Sequence, residues 1–131
     1  MIRRLLSRLI GGFCLVAVLS AGTARSEPVR VAAAAREDFG RIVFNWNTPV
    51  SHKSSVRGRR LTLRFGRPIE ATYARITRAL GKYVKSAGPG DDGQSVILEL
   101  TGDFDVYSFD SGSAVIVEIA DKEPAPEKTT K

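Results

Sequence analysis

The chain has 131 residues, of which 43% are hydrophobic and 26% are charged, and its formal net charge is +6. The first 26 residues hold four arginines and no acid, so the remainder has 16 basic and 14 acidic side chains and a net charge of +2. The overall basicity therefore does not indicate nucleic-acid binding. The only cysteine, Cys14, lies within the first 26 residues, which excludes a disulfide framework and a thiol nucleophile from the rest of the chain.

The N-terminus has the three parts of a secretory signal peptide. Residues 3–8 include three arginines, residues 9–21 form an apolar run, and Ala24 and Ser26 place small side chains at the two positions that a signal peptidase needs. We predict cleavage after Ser26, with Ala24 as the alternative. The apolar run is shorter than the roughly 20 residues that span a bilayer. Residues 1–26 are therefore predicted to direct the protein to the periplasm without leaving a stable membrane span.

Two stretches of the chain share one pattern at an offset of 54 residues. Gly58–Phe65 and Gly112–Ile119 each begin with a glycine that can adopt positive φ and continue with apolar residues at every second position. At the same offset, residues 42–46 fall on residues 96–100 without a gap. Alternation of this kind is typical of strands with one buried face. Residues 27–121 are therefore predicted to be one domain built from a duplicated β unit.

The elements of each unit follow from the same alternation and from the turn residues. In chain order, strands are predicted at residues 29–33, 41–46, 50–56, 59–65, 83–87, 95–100, 104–109 and 114–120. Between the units, apolar residues recur at helical spacing and predict a helix from about Thr72 to Leu80, with Gly81 as its C′ residue. Residues 122–131 are rich in Lys, Glu and Pro, which predicts a disordered tail or linker.

The fold class predicted from these elements is mainly β. Two similar units of three to four antiparallel strands can bury their apolar faces against each other and form a β-sandwich with an approximate two-fold axis. One short helix connects them. Phe44 and Trp46 alternate on a predicted strand, and we interpret them as core residues rather than as a sugar-stacking platform.

Charge is unevenly distributed between the units. Residues 50–90 contain ten basic residues and one acid, whereas residues 91–121 contain eight acids and no Lys or Arg. Six cations follow the predicted first hairpin: Lys53, Arg57, Arg59, Arg60, Arg64 and Arg67. Such a patch can hold the carboxylates of peptidoglycan stem peptides or of an acidic protein. In the alternative interpretation, the acids of the second unit face these arginines within the domain, in cross-strand pairs worth about 0.2–1 kcal/mol each.

No residue pattern in the chain points to an active site. His52 has no visible partner to orient it as a general base and no further ligands to hold a metal, so we predict a strand residue that faces solvent. The aspartates between residues 91 and 105 match no calcium-loop spacing and are interpreted as turn residues. The sequence thus predicts no catalytic residue, no metal and no cofactor.

A family resemblance rests on the strand motifs and their repeats. The motifs are Gly40-Arg41-Ile42-Val43-Phe44-Asn45-Trp46, Pro49-Val50 and Arg60-Leu61-Thr62-Leu63-Arg64-Phe65, repeated in residues 96–100, 105–107 and 115–121. Over residues 29–121 the chain resembles the AMIN domain, a periplasmic domain of cell-wall amidases and of pilus and secretion-channel proteins. It is even more similar to the AMIN-like N-terminal region of α-proteobacterial envelope proteins that continue into TPR repeats. The resemblance implies a sandwich of two similar sheets that targets peptidoglycan or envelope machinery.

Taken together, the sequence predicts a non-catalytic periplasmic domain that binds peptidoglycan or an envelope protein through its basic hairpin. The alternative is a protein-interaction or scaffold domain whose basic and acidic halves meet in self-association or on a partner protein. The ligand and the oligomeric state are left open by the sequence.

Overall fold

The computed structural model describes residues 26–122, so residues 1–25 of the predicted signal peptide and residues 123–131 of the predicted tail lie outside the described residues. This range contains ten strands and one helix. In chain order they are β1 (Glu27–Pro28), β2 (Arg30–Ala35), β3 (Phe39–Asn45), β4 (His52–Arg57), β5 (Arg60–Phe65), β6 (Ile69–Glu70), α1 (Ala74–Ala79), β7 (Val84–Pro89), β8 (Ser95–Leu100), β9 (Phe104–Ser111) and β10 (Ala114–Asp121). Within residues 26–122, no helix has the length and apolar character needed to cross a membrane.

Eight of the strands form two antiparallel sheets of four strands each. Sheet one has the order β2-β3-β10-β9, and sheet two has the order β4-β5-β8-β7. The two-residue strands β1 and β6 form a separate parallel pair. The predicted fold class, an antiparallel β-sandwich with one short helix, is confirmed. The eight predicted strands are present with ends shifted by no more than two residues, whereas β1 and β6 are additional.

The two repeat units contribute to both sheets instead of forming one sheet each. Sheet one joins the first hairpin of the first unit, β2–β3, to the last hairpin of the second unit, β9–β10. Sheet two joins β4–β5 of the first unit to β7–β8 of the second. The central pair of each sheet is therefore a contact between the units, and neither unit can complete a sheet alone.

The offset of 54 residues is preserved in the pairing of the central strands. Leu61 on β5 lies opposite Leu98 on β8, and their counterparts Val115 on β10 and Phe44 on β3 also lie opposite each other. The two-residue turns that close β4–β5 and β9–β10 correspond in the same way. Each begins with a glycine at positive φ, Gly58 at 61° and Gly112 at 62°, as the repeated sequence predicts.

One hydrophobic core lies between the sheets. Its largest part comes from alternate residues of the four central strands: Ile42, Phe44, Leu61, Leu63, Phe65, Val96, Leu98, Leu100, Val115, Val117 and Ile119. The ring of Phe65 in sheet two packs against Phe44 at 5.3 Å and against Trp46 at 5.1 Å between centroids. Phe44 and Trp46 are thus core residues, as predicted.

Helix α1 covers one end of the core. Tyr73, Ile76 and Leu80 are buried as their helical spacing predicts, but the helix begins at Ala74 rather than Thr72. Leu80 is the C-cap, and its N–H donates to the carbonyl of Ile76. Gly81 follows at C′ without the left-handed conformation common there, since the described glycines with positive φ are at other positions.

We predict that Gly40→Ala lowers the free energy of unfolding by about 1–3 kcal/mol, because its added methyl group overpacks the core. A Cβ at Gly40 would lie 2.9 Å from Cδ2 of Leu80 and 3.1 Å from Cδ2 of Tyr83, and both side chains are almost fully buried. Urea denaturation measures the effect. Gly88→Ala is the control, because no atom lies within 4 Å of its added Cβ. Equal losses in both variants would contradict the packing explanation.

Candidate functional site

The β4–β5 hairpin places four of the six predicted cations on the outer face of sheet two. Residues of β5 alternate between buried and outward positions, and Arg60 and Arg64 point outward. Arg57 lies directly opposite Arg60, and Lys53 lies directly opposite Arg64. These four residues are called the basic face below. It contains two cross-strand pairs of like charge, an arrangement that destabilises a hairpin.

Small polar residues separate the two pairs of cations. Ser55 on β4 lies opposite Thr62 on β5, and Thr62 lies opposite Ile97 on β8. The strand β4 is an edge of sheet two, and the residues after His52 on this strand are exposed. The basic face is therefore an open strip at the border of the sandwich.

Acids of the second unit neutralise part of the basic face. Nε of Arg60 lies 2.7 Å from Oε2 of Glu99, and Nη1 of Arg64 lies 3.7 Å from Oδ2 of Asp92. The predicted alternative, in which acids of the second unit face the arginines within the domain, thus describes both Arg60 and Arg64 of the basic face, and Arg59 beside Asp103 is a third case. Among residues 26–122, neither Lys53 nor Arg57 has a carboxylate oxygen within 4.0 Å.

The other two predicted cations, Arg59 and Arg67, lie elsewhere. Arg59 occupies the β4–β5 turn, where its Nε is 3.8 Å from Oδ1 of Asp103. The guanidinium of Arg67 lies 5.1 Å from the ring centroid of Trp46 and donates to the carbonyl oxygen of Pro49. It also donates to Glu27 at 3.1 Å. Arg67 therefore holds the chain around Trp46 and is not part of the basic face.

In the predicted turn after β7, the side chain of Asp92 accepts two hydrogen bonds. Its carboxylate accepts from the backbone N–H of Gln94 at 2.9 Å and from the hydroxyl of Ser95 at 3.0 Å. The Gln94 N–H contributes most to lowering the pKa of Asp92; the Ser95 hydroxyl and Arg64 add to this, and partial desolvation opposes it. Among the described residues, no group of three or more His, Cys, Asp or Glu is placed to hold a metal ion.

The prediction that His52 faces solvent is wrong, since only 9% of its side chain is exposed. His52 lies on the side of β4 that faces β9 of the other sheet. Its Nε2 is 3.1 Å from Oγ of Ser108, and Ser54 Oγ lies at the same distance from that hydroxyl. Its Nδ1 is 3.0 Å from Oδ1 of Asp110 but outside hydrogen-bonding geometry. Sequence alone does not reveal these contacts, because they join edge strands of different sheets.

The side chains of Ser108, His52 and Asp110 are neighbours in the same succession as in a hydrolase triad, with the histidine between the serine and the aspartate. The cavity beside His52, of about 380 Å³, is lined by residues of β4, β5 and the segments that adjoin them, and Ser108 is not among its lining residues. The Ser108 hydroxyl lies 3.1 Å from both His52 Nε2 and Ser54 Oγ. The cluster links β4 of sheet two to β9 of sheet one across the seam between the sheets.

The outer face of sheet one carries an apolar row that the sequence prediction missed. It runs across all four strands through Ala32, Val43, Ile116 and Phe109, each directly opposite the next. Phe109 is 43% exposed, and Tyr107 on the same strand is 56% exposed. The repeat could have indicated this row. At the offset of 54 residues, the apolar Ile116 and Phe109 correspond to the polar Thr62 and Ser55 of the first unit.

Comparison of the sequence with protein-family models and with curated proteins gives no match. The similarity to AMIN domains therefore stays a prediction from the strand motifs.

We predict that Asp92→Asn weakens the dependence of stability on pH in acid. The pKa of Asp92 is lower in the folded than in the unfolded state, so its ionised form stabilises the fold above the ordinary carboxyl pKa. That contribution is lost as the pH falls through the lowered folded value. Thermal unfolding of the wild type and the variant from neutral to strongly acidic pH measures the difference.

Asp91→Asn is the control for this experiment, because the Asp91 carboxylate is in none of the described ion pairs and is the sequence neighbour of Asp92. It should change the pH dependence less than Asp92→Asn does, because Gln94 and Ser95 donate to Asp92. If the Asp91 and Asp92 variants change the profile equally, the hydrogen bonds from Gln94 and Ser95 are not its cause.

Proposed function

We propose that this protein is a non-catalytic periplasmic domain that binds the carboxylates of peptidoglycan through the basic face. The observation that carries the proposal is the pair of like-charged contacts on one hairpin, Lys53 opposite Arg64 and Arg57 opposite Arg60. Opposed like charges destabilise a sheet, and Lys53 and Arg57 have no carboxylate of the described residues within 4.0 Å, so these two favour a counter-charge from outside the domain.

The position of the cations supports a repeating ligand rather than a small anion. Lys53 and Arg57 are four residues apart on one strand, a separation of about 13 Å at the rise of a β-strand. Carboxylates at intervals along a polymer can contact both cross-strand pairs of cations at once, and several weak contacts then add up to a higher overall affinity. The small side chains of Ser55 and Thr62 lie between the two pairs of cations and leave room there for a ligand.

The charge balance supports Lys53 and Arg57 as the principal contacts. Arg60 and Arg64 already have acidic neighbours at 2.7 and 3.7 Å, so a ligand would compete with Glu99 and Asp92 for them. The two cations of β4 have no described carboxylate to displace. Arginine can hold a carboxylate through two parallel hydrogen bonds, whereas lysine acts as a point charge.

We predict that Lys53→Gln with Arg57→Gln weakens binding to purified peptidoglycan sacculi about tenfold at low salt, or about 1.4 kcal/mol over the two contacts. Binding of the wild type should also weaken as salt is added, because exposed charges are screened. Co-sedimentation of the purified protein with sacculi across a salt series measures both effects. No ion pair of the described residues is lost in this variant, so its fold is expected to persist.

The matched control removes the same charge elsewhere, in Arg36→Gln with Arg78→Gln, which lie after β2 and on α1. This variant should bind like the wild type. If both double variants lose binding equally, net charge rather than the basic face is responsible. If the wild type does not sediment with sacculi at low salt, the peptidoglycan proposal fails and an acidic envelope protein becomes the ligand to test.

A second candidate function, self-association as a scaffold, is favoured by the apolar row on sheet one. The row has its smallest side chain, Ala32, at one end and its largest, Phe109, at the other. A two-fold axis through the middle of the row would place Phe109 of each copy against Ala32 of the other copy. Such self-complementarity is what an isologous dimer requires.

For this second candidate, we predict that the average mass in sedimentation equilibrium rises with protein concentration from that of a monomer towards that of a dimer. Tyr107→Ser with Phe109→Ser should weaken the association about tenfold or more, because large aromatic anchors dominate interface energies. Val56→Ser is the control, since Val56 is as exposed as Phe109 but lies on β4 of the other sheet. A monomeric mass at all concentrations would exclude the dimer and leave binding through the basic face unaffected.

A further inference from the structure

A groove unrelated to the basic face runs beside the edge of sheet one. It consists of two adjoining surface cavities of about 470 and 430 Å³, which share Val29, Arg30, Asn45 and Thr72 in their linings. Helix α1 packs against β2, and the N–H of Val29 donates to the carbonyl of Glu70 on β6 at 2.9 Å. The groove thus lies where β2, β6 and the start of α1 meet, and its volume is typical of sites for small ligands.

Charges of opposite sign lie at different parts of this groove. Arg75 lines only one of the two cavities, Glu70 lines only the other, and Arg30 lines both. None of these three side chains belongs to an ion pair within residues 26–122. Arg75 therefore marks one end of the groove and Glu70 the other, and Arg30 lies where the two cavities adjoin.

The remaining lining combines apolar surface with uncharged hydrogen-bonding groups. Val29, of which only 6% is exposed, belongs to the lining of both cavities. The side chains of Asn45, Asn47 and Thr72 are exposed there, and Asn45 is held by a hydrogen bond from its Nδ2 to the carbonyl of Arg30. Amide and hydroxyl groups of this kind can donate to and accept from the N–H and C=O groups of a peptide backbone.

We propose that this groove binds a short peptide with free ends, with the carboxylate at Arg30 and Arg75 and the ammonium group at Glu70. Two guanidinium groups match a carboxylate, a single carboxylate matches an ammonium group, and the asparagines and threonine match the amides between them. A small anion would pair with the guanidinium groups but would leave the carboxylate of Glu70 without a counter-charge. The site lies on the opposite sheet from the basic face, so the proposal does not depend on the function proposed above.

The test is an NMR titration of the purified, ¹⁵N-labelled protein with tri-alanine at concentrations up to about 10 mM, the range in which small ligands of low affinity saturate. The backbone amides of Arg30, Asn45, Glu70 and Thr72 should shift together on one binding curve. N-acetyl-tri-alanine, which lacks the ammonium group, and tri-alanine amide, which lacks the carboxylate, should each bind about tenfold more weakly.

Variants of the groove assign each end of the peptide. Arg75→Gln should weaken tri-alanine about tenfold while leaving the amide derivative unaffected, because the derivative has no carboxylate to lose. Glu70→Gln should likewise weaken tri-alanine about tenfold while leaving the N-acetyl derivative unaffected, because that derivative has no ammonium group to lose. Arg78→Gln, on the same helix and outside both cavity linings, should leave all affinities unchanged.

Three results would overturn the proposal. They are an absence of shifts at the highest tri-alanine concentration, shifts that map to other strands, and equal binding of the peptide and its two end-blocked derivatives. Equal binding of all three would mean that the charges at the ends of the groove do not recognise the ligand. Neither these results nor their opposites affect the sedimentation with sacculi, so the two proposals can fail separately.

Discussion

The pairing of the two central strands in each sheet is the constraint on which the rest of this molecule depends. Strand β3 pairs with β10 and β5 pairs with β8, so each sheet is closed by a contact between the two repeat units. Equivalent backbone bonds continue the pairing: the N–H of Leu100 donates to the carbonyl of Arg59, and the N–H of Trp46 to that of Ser113. Because side chains alternate along a strand, this register decides which residues enter the core and which form each outer face.

The two repeat units share the apolar pattern of the core and differ on the outer faces. Inward positions of the central strands carry apolar residues in both units, since each must fill the same space between the sheets. Outward positions have no such requirement, so Thr62 of one unit corresponds to Ile116 of the other. One sandwich thereby presents a basic face on sheet two and an apolar row on sheet one.

One edge of the sandwich, where β4 meets β9, is polar where the central strands are apolar. His52, Ser54, Ser108 and Asp110 connect β4 to β9 across the seam, in place of the aliphatic contacts of the core. The ion pairs on the outer faces, such as Arg60 with Glu99, are largely exposed and contribute at most about 1 kcal/mol each. Stability therefore comes mainly from the buried centre, which allows β4 to carry two cations that have no acidic partner among the described residues.

The sequence alone determined the elements of this protein. Alternation at period two predicted the eight strands of the two sheets, the spacing of Tyr73, Ile76 and Leu80 predicted α1, and the repeat predicted the matched turns at Gly58 and Gly112. These features depend on residues close together in the chain, through side-chain direction and backbone φ, so local patterns report them. The positions of the six cations on or beside one hairpin follow from the same local reasoning.

Only the tertiary structure decided how these elements combine. Exchange of hairpins between the sheets, burial of His52 against β9, and separation of Arg67 from the basic face all depend on contacts between distant segments. The groove at Arg30, Glu70 and Arg75 likewise joins residues of β2, β6 and α1 that no local pattern relates. Alternation shows that one face of each strand is buried, but it does not show which strand is its neighbour, because every apolar face satisfies the same requirement.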